Sequence, residues 1–88
     1  MSLLFKRYKT KFRYALQPVF SMLVGKEKEM PHEDWLQLIK TTEQRILLNP
    51  VDFLGTDLPG KDLMKDIVEE IFKEFDKDLK IKKKSIKP

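Results

Sequence analysis

Residues that could support catalysis or metal binding are few in this 88-residue chain. The sequence has no cysteine and a single histidine, His32, which precedes two acids. Metal sites normally need several histidine or cysteine ligands. A serine triad would have to combine His32 with Ser2, Ser21 or Ser85, without a nucleophile-elbow pattern. We therefore predict a non-enzymatic protein with no metal, no cofactor and no small-molecule substrate.

The fourteen acidic residues do not indicate general acid–base catalysis either. Catalytic carboxylates need burial or a close like-charge partner to shift their pKa, and the sequence shows neither. There is no glycine-rich phosphate loop and no calcium-loop spacing. We interpret the acids near the C-terminal end as the solvated face of a helix: Glu69, Glu70, Glu74, Asp76 and Asp78.

Charge is distributed very unevenly along the chain. Residues 1–26 carry six positive charges and no acid, residues 27–79 carry seven positive charges and all fourteen acids, and residues 80–88 carry five lysines. Such asymmetry indicates either an anionic partner or basic ends that fold back on the acidic middle. The cations predicted to contact an anion or a nucleic acid are Lys6, Arg7, Lys9, Lys11, Arg13, Lys82, Lys83 and Lys84.

Apolar residues recur at three- and four-residue steps in three segments, which predicts an all-α fold, a small three-helix bundle. The first segment spans residues 3–24. Pro18 removes one helical hydrogen bond while the apolar phase continues across it, so we expect one kinked helix or two collinear ones. Gly25 is the predicted stop. The basic side chains fan over the face opposite the apolar stripe.

The second segment begins at Pro31, places Trp35 in the core and ends at Asn49. A short helical turn over residues 51–55 is predicted to follow, with Asn49 as its cap. The third segment carries a wide apolar stripe, capped by Asp57 or Asp62 and ending near residue 79. Residues 80–88 are too charged and too short to pack, so we predict one domain over residues 1–79 followed by a disordered basic tail.

No stretch is long enough to cross a bilayer. The longest uncharged run, Tyr14–Gly25, has 12 residues and contains Pro18, whereas a spanning helix needs about 20 apolar residues. The absence of cysteine fits a reducing compartment. We therefore expect a cytoplasmic protein.

A module that works by interaction is the favoured function, with a second copy of the chain (a dimer) or a helical protein as its partner. Phe53 and Leu54 lie between helices, and Val68 and Phe72 widen the third stripe beyond what three short helices cover, so these four residues are the predicted interface.

The alternatives are nucleic-acid binding through the basic face of the first helix and the lysine tail, or binding of that helix to anionic membranes. Without the first helix, however, the rest would be a piece of about 50 residues, near the lower limit for independent folding. We therefore expect the first helix to pack inside the domain.

Overall fold

The computed structural model describes residues 3–86, with side chains described for residues 3–79. This part of the chain is helical and contains no strand, which confirms the all-α prediction. Five α-helices are present where the sequence predicts three and a short turn. They are α1 (Leu3–Ala15), α2 (Gln17–Lys26), α3 (His32–Leu48), α4 (Pro50–Leu54) and α5 (Lys61–Ile86), with a 3-10 turn at Glu27–Glu29.

The first predicted helix is divided into α1 and α2 at Leu16. Pro18 lies in the first turn of α2, where its missing N–H matters least. Hydrogen bonds from the Leu16 amide to the Phe12 carbonyl and from the Phe20 amide to the Leu16 carbonyl, each 2.9 Å long, persist on both sides of the division. The apolar phase therefore carries through it, and Phe12, Leu16 and Leu23 are all fully buried.

The middle of the chain follows the sequence pattern closely. Acids occupy the first turn of α3 and Arg45 its last turn, an arrangement that complements the helix dipole. Asn49 occupies the N-cap position of α4 as predicted, with Pro50 following it, but its side chain makes no capping hydrogen bond. Gly55 ends α4 with a φ of 89°, a conformation that favours glycine.

α5 extends beyond the predicted end of the domain. Its backbone is helical to Ile86, where the sequence predicts a disordered tail from residue 80. A helix satisfies its backbone hydrogen bonds within the same segment, so high charge does not prevent helix formation there. The side chains of Lys82, Lys83 and Lys84 lie outside the described residues.

The core lies where α1, α2 and α3 meet α5. Ile46 of α3 is fully buried, as are Ile67 and Val68 of α5. The Phe20 ring of α2 stacks on Phe75 with 4.5 Å between ring centroids, and it meets the edge of Phe72 at 5.1 Å. α1 packs against α5, α4 and α2, so the first segment closes the core rather than standing apart from it.

Trp35 joins α3 to α2. Its side chain is buried as predicted, and its Nε1–H donates a 2.7 Å hydrogen bond to the carbonyl oxygen of Leu23. A buried carbonyl that loses its donor costs about 1–3 kcal/mol. The indole therefore supplies both packing and a polar link between the two helices.

We expect Trp35→Phe to lower the free energy of unfolding by about 1–3 kcal/mol, because the ring is kept while the Leu23 carbonyl loses its donor. Urea unfolding followed by circular dichroism at 222 nm measures the change. Gln37→Ala, at an exposed position of the same helix, is the control and should change stability little. Equal stability of Trp35→Phe and the wild type would contradict the role given to the indole.

Candidate interaction surfaces

The cations of α1 divide into paired and unpaired groups. Lys9, Lys11 and Arg13 each form an ion pair with a carboxylate from later in the chain. Lys6 and Arg7 are exposed and form no ion pair within the part of the chain whose side chains are described. The basic face is therefore partly neutralised by the acidic middle, and what it leaves open is concentrated near the N-terminal end of α1.

Asp57, in the connection before α5, anchors that connection to α1. Tyr8 Oη donates a 3.0 Å hydrogen bond to its Oδ1, and Lys11 Nζ donates a 2.9 Å hydrogen bond to its Oδ2. The bond from Lys11, followed by that from Tyr8, holds the pKa of Asp57 below its usual value. The same contact raises the pKa of the Tyr8 hydroxyl, because the bond to Asp57 favours its protonated form. Asp57 thus links two elements instead of capping α5.

Glu74 of α5 receives two cations from α1. Lys9 Nζ donates to its Oε2, while Arg13 Nη1 lies 3.3 Å from its Oε1 in an ion pair without hydrogen-bond geometry. Oε1 is buried and accepts no hydrogen bond from the described residues. Glu74 therefore holds α1 on α5 and keeps one acceptor position unused.

A groove of about 610 Å³ runs beside Glu74, and we call it the α1–α5 groove. Its lining is aromatic and polar rather than uniformly apolar. Tyr14, whose side chain is 77% exposed, stands at the groove next to Arg13. The lining residues are Thr10, Arg13, Tyr14, Gln17, Phe20, Ile71, Glu74, Phe75 and Asp78.

The predicted protein interface lies mostly inside the domain. Leu54, Val68 and Phe72 are buried in the core, and Phe53 is half-buried against it. Phe20 of α2 packs on Phe72, so the apolar stripe of α5 is covered more fully than the sequence suggests. This corrects the expectation that these four residues form an open surface.

An apolar surface that the sequence reasoning missed lies at the end of α3. Leu48 is 81% exposed and Val51 of α4 is 54% exposed. Leu48 also lines a groove of about 510 Å³, which we call the α4 groove. Its lining combines apolar side chains with charges of both signs at the start of α5: Leu47, Leu48, Pro50, Leu58, Pro59, Lys61, Asp62, Met64 and Lys65. Leu48 is two residues, or about 200°, beyond buried Ile46, so helical periodicity could have placed it outside the core.

A third groove, of about 480 Å³, lies between α3 and α5. It contains Glu43, which is half-buried, and Glu69. Burial raises the pKa of the Glu43 carboxyl above its ordinary value, and the nearby negative charge of Glu69 raises it further. The ionised form of Glu43 is therefore disfavoured in the folded protein.

The described residues hold no group of three or more histidine, cysteine or acidic side chains that could bind a metal. His32 is exposed, and its ring centroid lies 5.8 Å from that of Trp35.

Within the described range, no helix combines the length and apolar character that crossing a membrane requires. Comparison of the chain with protein-family models, curated proteins and solved structures found no match in any of the three.

The link between Asp57 and α1 predicts a pH dependence. Because the pKa of Asp57 is lowered from 3.8, its contribution to stability is present above that value and is lost as the pH falls through the lower, folded-state pKa. Lys11→Met removes the largest cause. We expect the Asp57 carboxyl, followed by carbon NMR, to titrate at higher pH in this variant, which should also lose less stability on acidification. Lys28→Met is the matched control, and identical Asp57 titrations in Lys11→Met and wild type would contradict the link.

The raised pKa of Glu43 predicts the opposite pH dependence of stability. A carboxyl whose pKa is raised in the folded state destabilises the protein when ionised, and this penalty disappears as the pH falls below its unfolded pKa of about 4.3. We expect Glu43→Gln to raise the melting temperature at pH 7 and to have little effect at pH 3, measured by circular dichroism. An equal change at both pH values would show that charge is not the cause.

Proposed function

We propose that this chain is a non-enzymatic helical interaction module that self-associates through the α4 groove. The observation that carries the proposal is exposed Leu48, which lines the partly apolar α4 groove, together with exposed Val51 on the short helix that follows it. Protein interfaces are built around apolar anchors that enter pockets of the partner. This end of the domain offers both the anchor and the pocket.

The arrangement favours a second copy as the partner. A two-fold interface uses the same patch on both subunits, so that patch has to be complementary to itself. Projecting Leu48 beside the α4 groove meets this requirement, since each copy can insert its leucine into the groove of the other. The charges at the rim support it as well, because Lys61 and Lys65 of one copy can face Asp62 of the other.

In this proposal the domain of residues 1–79 acts as a three-helix bundle. α1 and α2 together form one arm, α3 and α5 form the other two, and α4 closes one end of the bundle. The α4 groove belongs to that closed end. A helical protein other than a second copy would use the same anchor and groove.

Two features of the fold speak for interaction with a protein rather than with lipid. The apolar stripe of α1, which a membrane would have to take up, contains Phe12, and this side chain is fully buried in the domain. Withdrawing it would open the core at a cost of several kcal/mol, since a buried aromatic side chain is worth about 3–5 kcal/mol. The apolar side chains at the α4 groove are available without any unfolding.

Sedimentation equilibrium between 10 μM and 1 mM tests the proposal. We expect the wild type to shift from monomer towards dimer with a dissociation constant on the order of 100 μM, as for a small and weak interface. Leu48→Lys combined with Val51→Lys should remain monomeric, because two like-charged pairs would face each other across the two-fold axis.

Leu3→Lys is the matched control, since Leu3 is 86% exposed and belongs to α1. This variant should associate like the wild type. Unchanged circular dichroism spectra would show that both variants are folded. A wild type that remains monomeric at 1 mM, or a Leu48 and Val51 variant that still dimerises, would refute self-association through the α4 groove.

A further inference from the structure

The exposed face of α1 and the α1–α5 groove beside it form one continuous surface with its own chemistry. Helical periodicity places Lys6, Arg7, Thr10, Arg13 and Tyr14 on the same face, and all five are exposed. We call these five residues the cationic stripe. α1 contains no acid, so the only carboxylates near the stripe come from other elements.

The ion pairs decide how much positive charge the stripe has left. Asp57 neutralises Lys11, and Glu74 is shared between Lys9 and Arg13. Five cations on α1 therefore face two paired carboxylates and a third, Asp78, in the lining of the groove, which leaves a net charge of about +2 along roughly two helical turns. That charge is available to an anion, and an extended polyanion would satisfy it best.

The groove beside the stripe contains aromatic rings and a carboxylate, which the binding of phosphate alone does not require. Tyr14 presents an exposed ring next to Arg13, and Phe20 and Phe75 stack within the lining. Aromatic side chains beside a basic surface are the usual platform for unpaired bases. Glu74 lines the groove with 30% of its side chain exposed, and a carboxylate is the acceptor that suits an exocyclic amino group such as that of cytosine.

We propose that the cationic stripe and the α1–α5 groove bind single-stranded nucleic acid, with phosphates on Lys6, Arg7 and Arg13 and an amino-bearing base against Tyr14 and Glu74. The carboxylates of Glu74 and Asp78 repel phosphate from the groove. The phosphates therefore lie on the cations of α1, and the base lies in the groove. Duplex DNA fits less well, because its bases are stacked and cannot reach the groove. This surface is separate from the α4 groove and does not depend on self-association.

Fluorescence anisotropy with labelled twelve-nucleotide deoxycytidine and deoxythymidine strands tests the proposal between 20 and 200 mM salt. The two probes have the same backbone, and only cytosine carries an amino group. We expect the deoxycytidine strand to bind at least five-fold more tightly. The logarithm of its affinity should fall with the logarithm of salt concentration with a slope of about 2, from three contacts at about 0.7 each.

Variants separate the two parts of the site. Lys6→Ala with Arg7→Ala should weaken both probes about ten-fold or more at 20 mM salt and reduce the slope to about 0.7. Tyr14→Ala should weaken both probes without changing the slope, and Glu74→Met should abolish the preference for cytosine. Lys28→Ala with Arg45→Ala removes the same charge from exposed positions outside α1 and should have little effect. Circular dichroism confirms that each variant is folded.

Several results would overturn the proposal. They are the absence of wild-type binding to either probe at 20 mM salt, equal affinity for the two probes, and equal losses in the α1 and control double variants. Co-sedimentation with phosphatidylserine vesicles without binding to either oligonucleotide would also overturn it, in favour of a membrane partner for the cationic stripe.

Discussion

Burial of the apolar stripe of α5 is the constraint on which the rest of the structure depends. Met64, Ile67, Val68, Ile71 and Phe72 lie within this stripe, and each buried side chain of this kind contributes roughly 1.5–3 kcal/mol before the entropy of ordering is subtracted. The stripe is too wide for a single neighbouring helix. α1 and α3 therefore both pack on α5, and α2 adds Phe20 over the aromatic end of the stripe.

Packing α1 on α5 also determines the electrostatics of the molecule. α1 brings its cations next to the acids of α5 and of the preceding connection. Lys11 pairs with Asp57, and both Lys9 and Arg13 pair with Glu74. An exposed ion pair such as that of Lys11 with Asp57 adds little stability. The larger effect of these ion pairs is on the surface, because they remove some cations of α1 from use and leave Lys6 and Arg7 open.

The sequence predicted the burial of several residues and the end of a helix, but it did not predict contacts between helices. The burial of Trp35 and Ile46 followed from helical spacing, and the end of α3 followed from the presence of Asn49 and Pro50. The prediction that Val68 and Phe72 are exposed was wrong. Periodicity shows that the apolar stripe of a helix is wide, but it does not show how many other helices pack on that stripe. The hydrogen bond from Trp35 to the Leu23 carbonyl joins two helices, and no local pattern indicates such a partner.

The sequence by itself determined the helical class, the inward and outward faces of the main helices and the uneven distribution of charge, because these depend on residue type and on spacing within one helix. Only the tertiary structure decided which cations are neutralised, that Leu48 is exposed beside a groove, and that a buried oxygen of Glu74 accepts no hydrogen bond from the described residues. Each of these depends on the distance between residues far apart in the chain. That distance is fixed by how the helices pack on α5, and it is not encoded in any single segment.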